Sequence, residues 1–194
     1  MRERLKILEN ECDELDAGIK KARHEYHSFI LSTLRGDSPE SRTVILRDFN
    51  KTHYSIAFHS DIRSTKINDI KLNNSVSALF YDRSRRMQLR ISGKATIEYE
   101  NTVTKQYWSI MTPESKVCYM GPFRPSKKIS SFKPNLPDIT PYQINSEYEK
   151  LGYSRFCRII IKMQKLDWLS LHHTGHKRVL FTFNNQIDAE WIAS

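Results

Sequence analysis

Two basic segments and one amide hold most of the chemistry this sequence can offer. The run Arg42-Thr-Val-Ile-Leu-Arg47 puts a guanidinium at each end of an apolar, β-branched stretch. On a strand, side chains this far apart alternate onto opposite faces, so one can meet a ligand and the other a partner. Arg63-Ser64-Thr65-Lys66 stands where a helix is expected to begin. The unpaired N–H groups and positive dipole end of a helix start favour an anion. The same four residues also read as an ordinary N-cap by Ser64 flanked by solvated cations. Gln88, inside a strand pattern, suits the edge of a planar heterocycle or, equally, an exposed sheet edge.

Other chemistries have less support. His172, His173 and His176 cluster beside Gly175 in an expected hairpin turn. No second group of Cys, Asp or Glu has ligand spacing, so no metal site is expected. There is no GxSxG, P-loop or GxGxxG pattern, which removes the common hydrolase, nucleoside-triphosphate and dinucleotide signatures. Cys12, Cys118 and Cys157 are odd in number and far apart, which argues against a disulfide framework and fits a reducing compartment. The N-terminal residues carry no apolar stretch for a signal peptide, and no segment approaches the length of a membrane span, so the protein is read as cytoplasmic.

The elements that must position these groups follow from periodicity. Leu5, Leu8, Cys12, Leu15, Ile19, Ala22, Tyr26 and Ile30 recur at three- and four-residue steps, which predicts an amphipathic N-terminal helix within residues 1–36, ended at Gly36. Residues 42–49 and 53–60 read as one hairpin, residues 64–72 as a short helix, and residues 75–81 with 87–99 as a second hairpin turned by the arginine-rich residues 82–86. Gly93 is expected to bend or bulge its strand. A helix over 102–111 precedes a segment holding six of the seven prolines, between Pro113 and Pro141. This segment, 112–141, reads as a long loop or lid. A short helix near 146–151, a long strand over 155–171 and two further strands, 178–183 and 187–192, complete the chain. Six or seven mostly antiparallel strands with helices between them predict an α+β, mainly β, small barrel in a single domain.

The chain has 194 residues and a net charge of +9, with enough length to build a core without staples. Residues 1–35 hold seven basic and seven acidic side chains, whereas residues 83–128 hold ten basic against three acidic. Such a local excess points to nucleic acid, a membrane surface or a phosphorylated small molecule as a visitor, or to a plain solvated face.

The order of the short motifs narrows these options. Ser41-Arg-Thr-Val-Ile-Leu-Arg47, Phe58-His-Ser-Asp-Ile-Arg-Ser-Thr-Lys66, Met87-Gln-Leu-Arg-Ile-Ser-Gly93, Trp168 and His176-Lys-Arg178 follow one another. Together they make the chain resemble the pyridoxamine 5'-phosphate oxidase-like family, the flavin mononucleotide (FMN)-binding split barrel, from about Ser41 to the C-terminus. The resemblance implies an FMN cofactor held by Arg42, Val44 and Ile45, by His59, Ser60, Arg63, Ser64 and Lys66, and by Gln88 beside the ring. It also implies late contacts from Trp168 and Arg178 of a second subunit, hence a homodimer with FMN at the interface. Such a site suits the chemistry of a dianionic phosphate and an apolar-walled flavin.

On the substrate side, Tyr107, Ser115 and His176 match the oxidase pattern. Arg47 replaces a lysine, while Met111 and Thr174 each replace an arginine, and the chain ends on Trp191-Ile-Ala-Ser194 in place of the oxidase ending. These departures imply a divergent oxidoreductase whose small-molecule substrate differs from pyridoxamine 5'-phosphate. A true pyridoxamine or pyridoxine 5'-phosphate oxidase is the nearest alternative. A non-catalytic nucleic-acid-binding module using Arg83, Arg85, Arg86 and Arg90 is the third reading.

Overall fold

A computed structural model describes residues 1–194. The first helix, α1 (Arg2–Lys20), buries Leu8, Glu11, Cys12, Leu15 and Gly18 along one stripe. It is shorter than the helix expected within residues 1–36. Ser28–Arg35 forms a strand, β1, paired antiparallel with β2 (Ser38–Ile45) through the turn at Gly36, whose φ is +59°. The apparent helical stripe through Tyr26 and Ile30 was a coincidence of spacing. From Phe29 onward, burial alternates with period two, and Phe29, Leu31 and Thr33 point inward while Ile30 stays 42% exposed. Gly36 therefore turns a hairpin, a conformation glycine adopts at little steric cost, and does not end a helix.

The expected hairpin over 42–60 is also divided differently. Ile45 ends β2, and a separate short strand, β3 (Asp48–Asn50), pairs with β4 (Ser55–Asp61). The remaining elements follow their predicted places: α2 (Thr65–Leu72), β5 (Ser75–Asp82), β6 (Met87–Tyr99), α3 (Thr102–Ser109), α5 (Ser146–Tyr153), β7 (Phe156–Ser170), β8 (Lys177–Phe183) and β9 (Ile187–Trp191), with one short helix, α4 (Pro113–Lys116), added at the start of the segment expected to be a loop. The sheet has nine strands, ordered β2-β1-β5-β6-β7-β4-β3, with β8 added to β7 and β9 to β8. β1 and the short β3 raise the count above the six or seven expected.

The chain divides into two compact units. The first, residues 1–58, 69–96 and 160–194, contains α1 and most of the sheet. Its core joins Leu8 and Leu15 of α1 to Phe29, Phe58, Phe80, Leu89, Ile161 and Phe181 of the strands, all nearly or fully buried. Phe29 stacks on Phe80 with ring centroids 4.8 Å apart. Gly93 serves a close backbone approach: a Cβ built there would lie 2.2 Å from the Lys162 carbonyl oxygen. That contact, more than a bend, is what the glycine permits.

The second unit, residues 59–68 and 97–159, has its own core of Trp108, Val117, Met120 and Phe156. In the proline-rich segment, α4 and a single 3-10 turn over Val117–Tyr119 precede a stretch without regular structure up to Pro141. The Asn135 side chain closes this stretch on itself, accepting from the Phe123 N–H at 2.9 Å and donating to the Phe123 carbonyl at 2.9 Å. No helix is long and apolar enough to cross a membrane.

Candidate functional site

In the second unit, the last residues of β4 and the first turn of α2 gather three polar groups. The Ser64 N–H donates to the Asp61 carbonyl at 3.0 Å, and the Ile67 N–H donates to the Ser64 carbonyl at 3.0 Å, which winds the chain directly from strand into helix. That winding puts the Lys66 ammonium 3.2 Å from the Ser60 hydroxyl and 2.9 Å from the Ser64 hydroxyl. Both serines are almost fully buried, at 6% and 5% exposure. A cation flanked by two hydroxyls at a helix start is a donor set suited to a phosphate monoester.

Arg63 is placed differently from its neighbours. Its guanidinium forks onto Asp61, with Nε 3.0 Å from Oδ1 and a terminal nitrogen 2.6 Å from Oδ2, and its own N–H adds a 2.8 Å bond to the same carboxylate. Asp61 thus neutralises Arg63 and fixes the turn between Ser60 and Ser64. A cation the sequence reading did not single out, Arg155, lies at the same turn. Its backbone carbonyl accepts from the Ile62 N–H at 2.7 Å, and its side chain donates to the Gly121 carbonyl at 2.7 Å. Burial, with the positive charge of Arg63 nearby, lowers its pKa.

His59 and Tyr107, read as cofactor-side and substrate-side residues, are brought together. The His59 ring meets Phe156 edge-on at 4.8 Å and Tyr107 at 5.8 Å. Tyr107 in turn lies under the Arg158 guanidinium at 4.6 Å, while Arg158 is paired with Glu98 at 2.9 Å. Ser115 sits in the first turn of α4, where its N–H and hydroxyl both meet the Thr112 hydroxyl. Trp108 and Lys116 converge on Glu149 at 2.7 and 2.8 Å.

In the first unit, Arg42 lies on β2 and turns inward, donating to the Thr33 hydroxyl at 2.7 Å and approaching Asp69 at 3.7 Å. Asp69 also takes Arg35 and the Thr33 hydroxyl, and burial lowers the pKa of Arg42. Val44 and Ile45, half-buried, lie opposite Phe29 and Ser28 of β1. Arg47 falls past the end of β2, is exposed, and joins the sheet only through its N–H to the Ala57 carbonyl. It therefore does not occupy the opposite face of the same strand from Arg42. Gln88, half-buried, stands across from Tyr81. His176 is exposed in the β7–β8 turn, where its Nδ1 accepts from the His172 N–H at 3.1 Å.

Trp168 and Arg178 are held by carboxylates. The Trp168 indole N–H donates to Glu11 at 3.1 Å and the ring is 5% exposed. Glu11 also accepts from the Tyr26 hydroxyl at 2.9 Å and from both terminal nitrogens of Arg85, at 3.0 and 3.1 Å, while Arg85 Nε donates to Asp82 at 2.6 Å. Burial raises the Asp82 pKa, but the bonds from the Arg85 side chain and backbone and from Ser84 outweigh it and bring it to about 2. Arg178 donates through two nitrogens to Asp167, at 2.8 and 2.6 Å, and Arg90 donates to the same carboxylate. These two clusters join residues far apart in sequence, and nothing local in the sequence signals them.

Comparison with known proteins shows what the chain is similar to. Residues 8–98 match the family described as pyridoxamine 5'-phosphate oxidase, FMN-binding domain, a span that contains the Ser60, Ser64 and Lys66 cluster and Gln88. The matched span is a little under half of the chain. Among curated proteins, the pyridoxine/pyridoxamine 5'-phosphate oxidase of Pelagibacter ubique (strain HTCC1062) is 34% identical over 79 residues, 41% of this chain and 36% of that protein. The match thus spans little more than a third of the relative's length. Among solved structures, a pyridoxamine 5'-phosphate oxidase-related, FMN-binding protein from Nostoc punctiforme superposes with a TM-score of 0.72 at 20% identity, covering 95% of both chains. PhzG from Burkholderia lata 383, solved with tetrahydrophenazine-1-carboxylic acid, superposes with a TM-score of 0.70 at 15% identity, covering 98% of this chain and 92% of its own. The fold is accordingly the mainly antiparallel split barrel with an N-terminal helix.

Proposed function

We propose that this protein binds FMN and carries out two-electron redox chemistry on a small anionic substrate, as a homodimer with a cofactor at each subunit boundary. The observation that carries this reading is the convergence of Lys66 on Ser60 and Ser64 at the start of α2, inside the segment that matches the FMN-binding family. Lys66 would supply the charge and the two serines the directional donors for the phosphate. Arg63, tied to Asp61, would keep the serines at their spacing. Arg42, Val44, Ile45 and His59 complete the cofactor-side set, with Gln88 at the ring edge and Trp168 and Arg178 reaching across from the second subunit. Bound FMN supplies reversible two-electron transfer, while the protein supplies position, electrostatics and exclusion of water. Arg47, Tyr107, Ser115 and His176 would face the substrate, and residues 112–141, carrying Arg124, Lys127 and Lys128, would act as its lid.

A second reading, oxidation of pyridoxamine 5'-phosphate itself, is favoured by the Pelagibacter relative. The nucleic-acid reading loses one of its four arginines, because Arg85 is bound through three nitrogens to Asp82 and Glu11. The test is direct. The purified protein is expected to be yellow and to release FMN on acid treatment, and a colourless protein that takes up no added FMN would refute the proposal. Oxygen consumption with pyridoxamine 5'-phosphate would assign the true oxidase activity, and no turnover of an FMN-loaded preparation would exclude it.

A further inference from the structure

The outward faces of β1 and β5 carry three neighbouring apolar side chains, Ile30, Leu79 and Tyr81, bordered on β6 by the polar outward residues Gln88, Arg90, Ser92 and Lys94. Tyr81 stands across from Gln88, Leu79 across from Arg90, and Ile30 of β1 across from Leu79. Tyr81 and Ile30 are 46% and 42% exposed, so this face is open in the single chain. At its margin, Arg90 and Arg178 share the Asp167 carboxylate. Two guanidiniums against one carboxylate leave a surplus positive charge.

The donor inventory points the same way. Each guanidinium has five N–H donors. Arg178 gives Nε and one terminal nitrogen to Asp167, and Arg90 gives one terminal nitrogen. Neither side chain has another acceptor on the protein. The Arg90 side chain is 49% exposed, against 25% for Arg178 and 12% for Asp167. Arg90 therefore presents an oriented fork, fixed at one nitrogen by Asp167 and open on the rest. A planar fork of this kind matches a carboxylate or phosphate in two parallel hydrogen bonds.

We infer that Arg90, anchored with Arg178 on Asp167, is a specificity-determining residue that binds the anionic group of a planar aromatic or heteroaromatic substrate at the margin of the Tyr81–Leu79–Ile30 face. This deepens the proposed function and rests on it for the position of the substrate, but not for the presence of the anion site. Asp167 acts as a positioning residue: it keeps the two like charges together and turns the unused N–H groups of Arg90 outward.

The experiment uses the protein as purified with FMN, and two isosteric probes, benzoate and benzamide, titrated by calorimetry and by the change in flavin absorption. Benzoate is expected to bind about tenfold or more tightly than benzamide, the ratio that one or two charge-assisted hydrogen bonds supply. Arg90→Gln should remove that preference, leaving benzamide affinity and FMN content unchanged, and Arg90→Lys should restore only part of it. Equal binding of the two probes by the wild-type protein, no binding of benzoate, or an undiminished preference in Arg90→Gln would each overturn the inference. The two claims fail separately. A protein without FMN that still shows an Arg90-dependent preference for benzoate in calorimetry refutes the cofactor reading and sustains the anion site. An FMN-loaded protein without that preference does the reverse.

Discussion

Glu11→Ala is the substitution whose cost can be worked most fully from the structure. Glu11 lies on the buried stripe of α1 at 3% exposure, and its carboxylate accepts from Arg85 twice, from the Tyr26 hydroxyl and from the Trp168 indole. Removing one member of a buried ion pair costs about 3–5 kcal/mol, because the other charge loses its compensation. Here Asp82 still holds Arg85 Nε, which puts the pair at the lower end of that range. The Tyr26 and Trp168 donors lose their acceptor in a site with little access to water, and each such loss costs about 1–3 kcal/mol. These contributions share one network and do not add fully. The expected loss is about 4 kcal/mol, a large part of the ~5–15 kcal/mol that a domain has in total. In a thermal scan it corresponds to a fall in Tm of about 8–16 °C for a chain of this size.

The assay is urea unfolding followed by tryptophan fluorescence, with Glu9→Ala, an exposed site on the same helix, as the control expected to stay within about 0.5 kcal/mol. Glu11→Gln should fall between the two, since its amide oxygen can still accept from Tyr26 or Trp168 while the charge is gone. A Glu11→Ala protein within about 1 kcal/mol of wild type would refute the reasoning, because neither the buried pair nor the two orphaned donors could then have their assigned weight.

Three further outcomes follow from the same structure. Asp82 is held near 2 in the folded protein, below its ordinary 3.8. Its contribution of about 2 kcal/mol is present above pH ~4 and lost as the pH falls toward 2, so the acid limb of the stability curve should flatten in Asp82→Asn. Gly93→Ala puts a methyl group 2.2 Å from the Lys162 carbonyl oxygen and should cost about 2–3 kcal/mol in urea unfolding, whereas Gly36→Ala, with open space around a φ of +59°, should cost about 1 kcal/mol. Native protein should take up one equivalent of iodoacetamide, at exposed Cys118, since Cys12 and Cys157 are buried. Burial moreover pushes the Cys12 thiol up to about 12. Rapid labelling of a second thiol before unfolding would contradict the described burial.

The sequence was most legible where structure is local. The Ser60 to Lys66 cluster lies within one strand end and one helix turn; residue types alone marked the helix start from Ser64 to Lys66, and Ser60 joined it only through the family resemblance. The Asp82–Arg86 turn and the β5–β6 hairpin were equally local. Residues 28–35 were misread because Tyr26 and Ile30 continue the α1 spacing, and the period-two burial of Phe29, Leu31 and Thr33 has meaning only once β2 is known to pair there. Arg63 was read as a phosphate ligand although its acceptor, Asp61, is two residues away. A flexible guanidinium takes the carboxylate that its turn presents, and the turn geometry is not written in residue types. Glu11 with Trp168 and Arg90 with Asp167 are separated by 157 and 77 residues. Only the folded sheet brings them together, and single-sequence periodicity does not register such pairings.

The central claim is that Lys66, Ser60 and Ser64 hold a phosphate group. Comparing FMN with riboflavin, which has the same ring and ribityl chain but no phosphate, isolates that contribution in a single fluorescence-quenching titration. The account predicts FMN binding about 100-fold or more tighter than riboflavin, from two or three charge-assisted hydrogen bonds, with Lys66→Met bringing FMN most of the way to riboflavin. Equal affinity for the two flavins, or an unchanged preference for FMN in Lys66→Met, would contradict it.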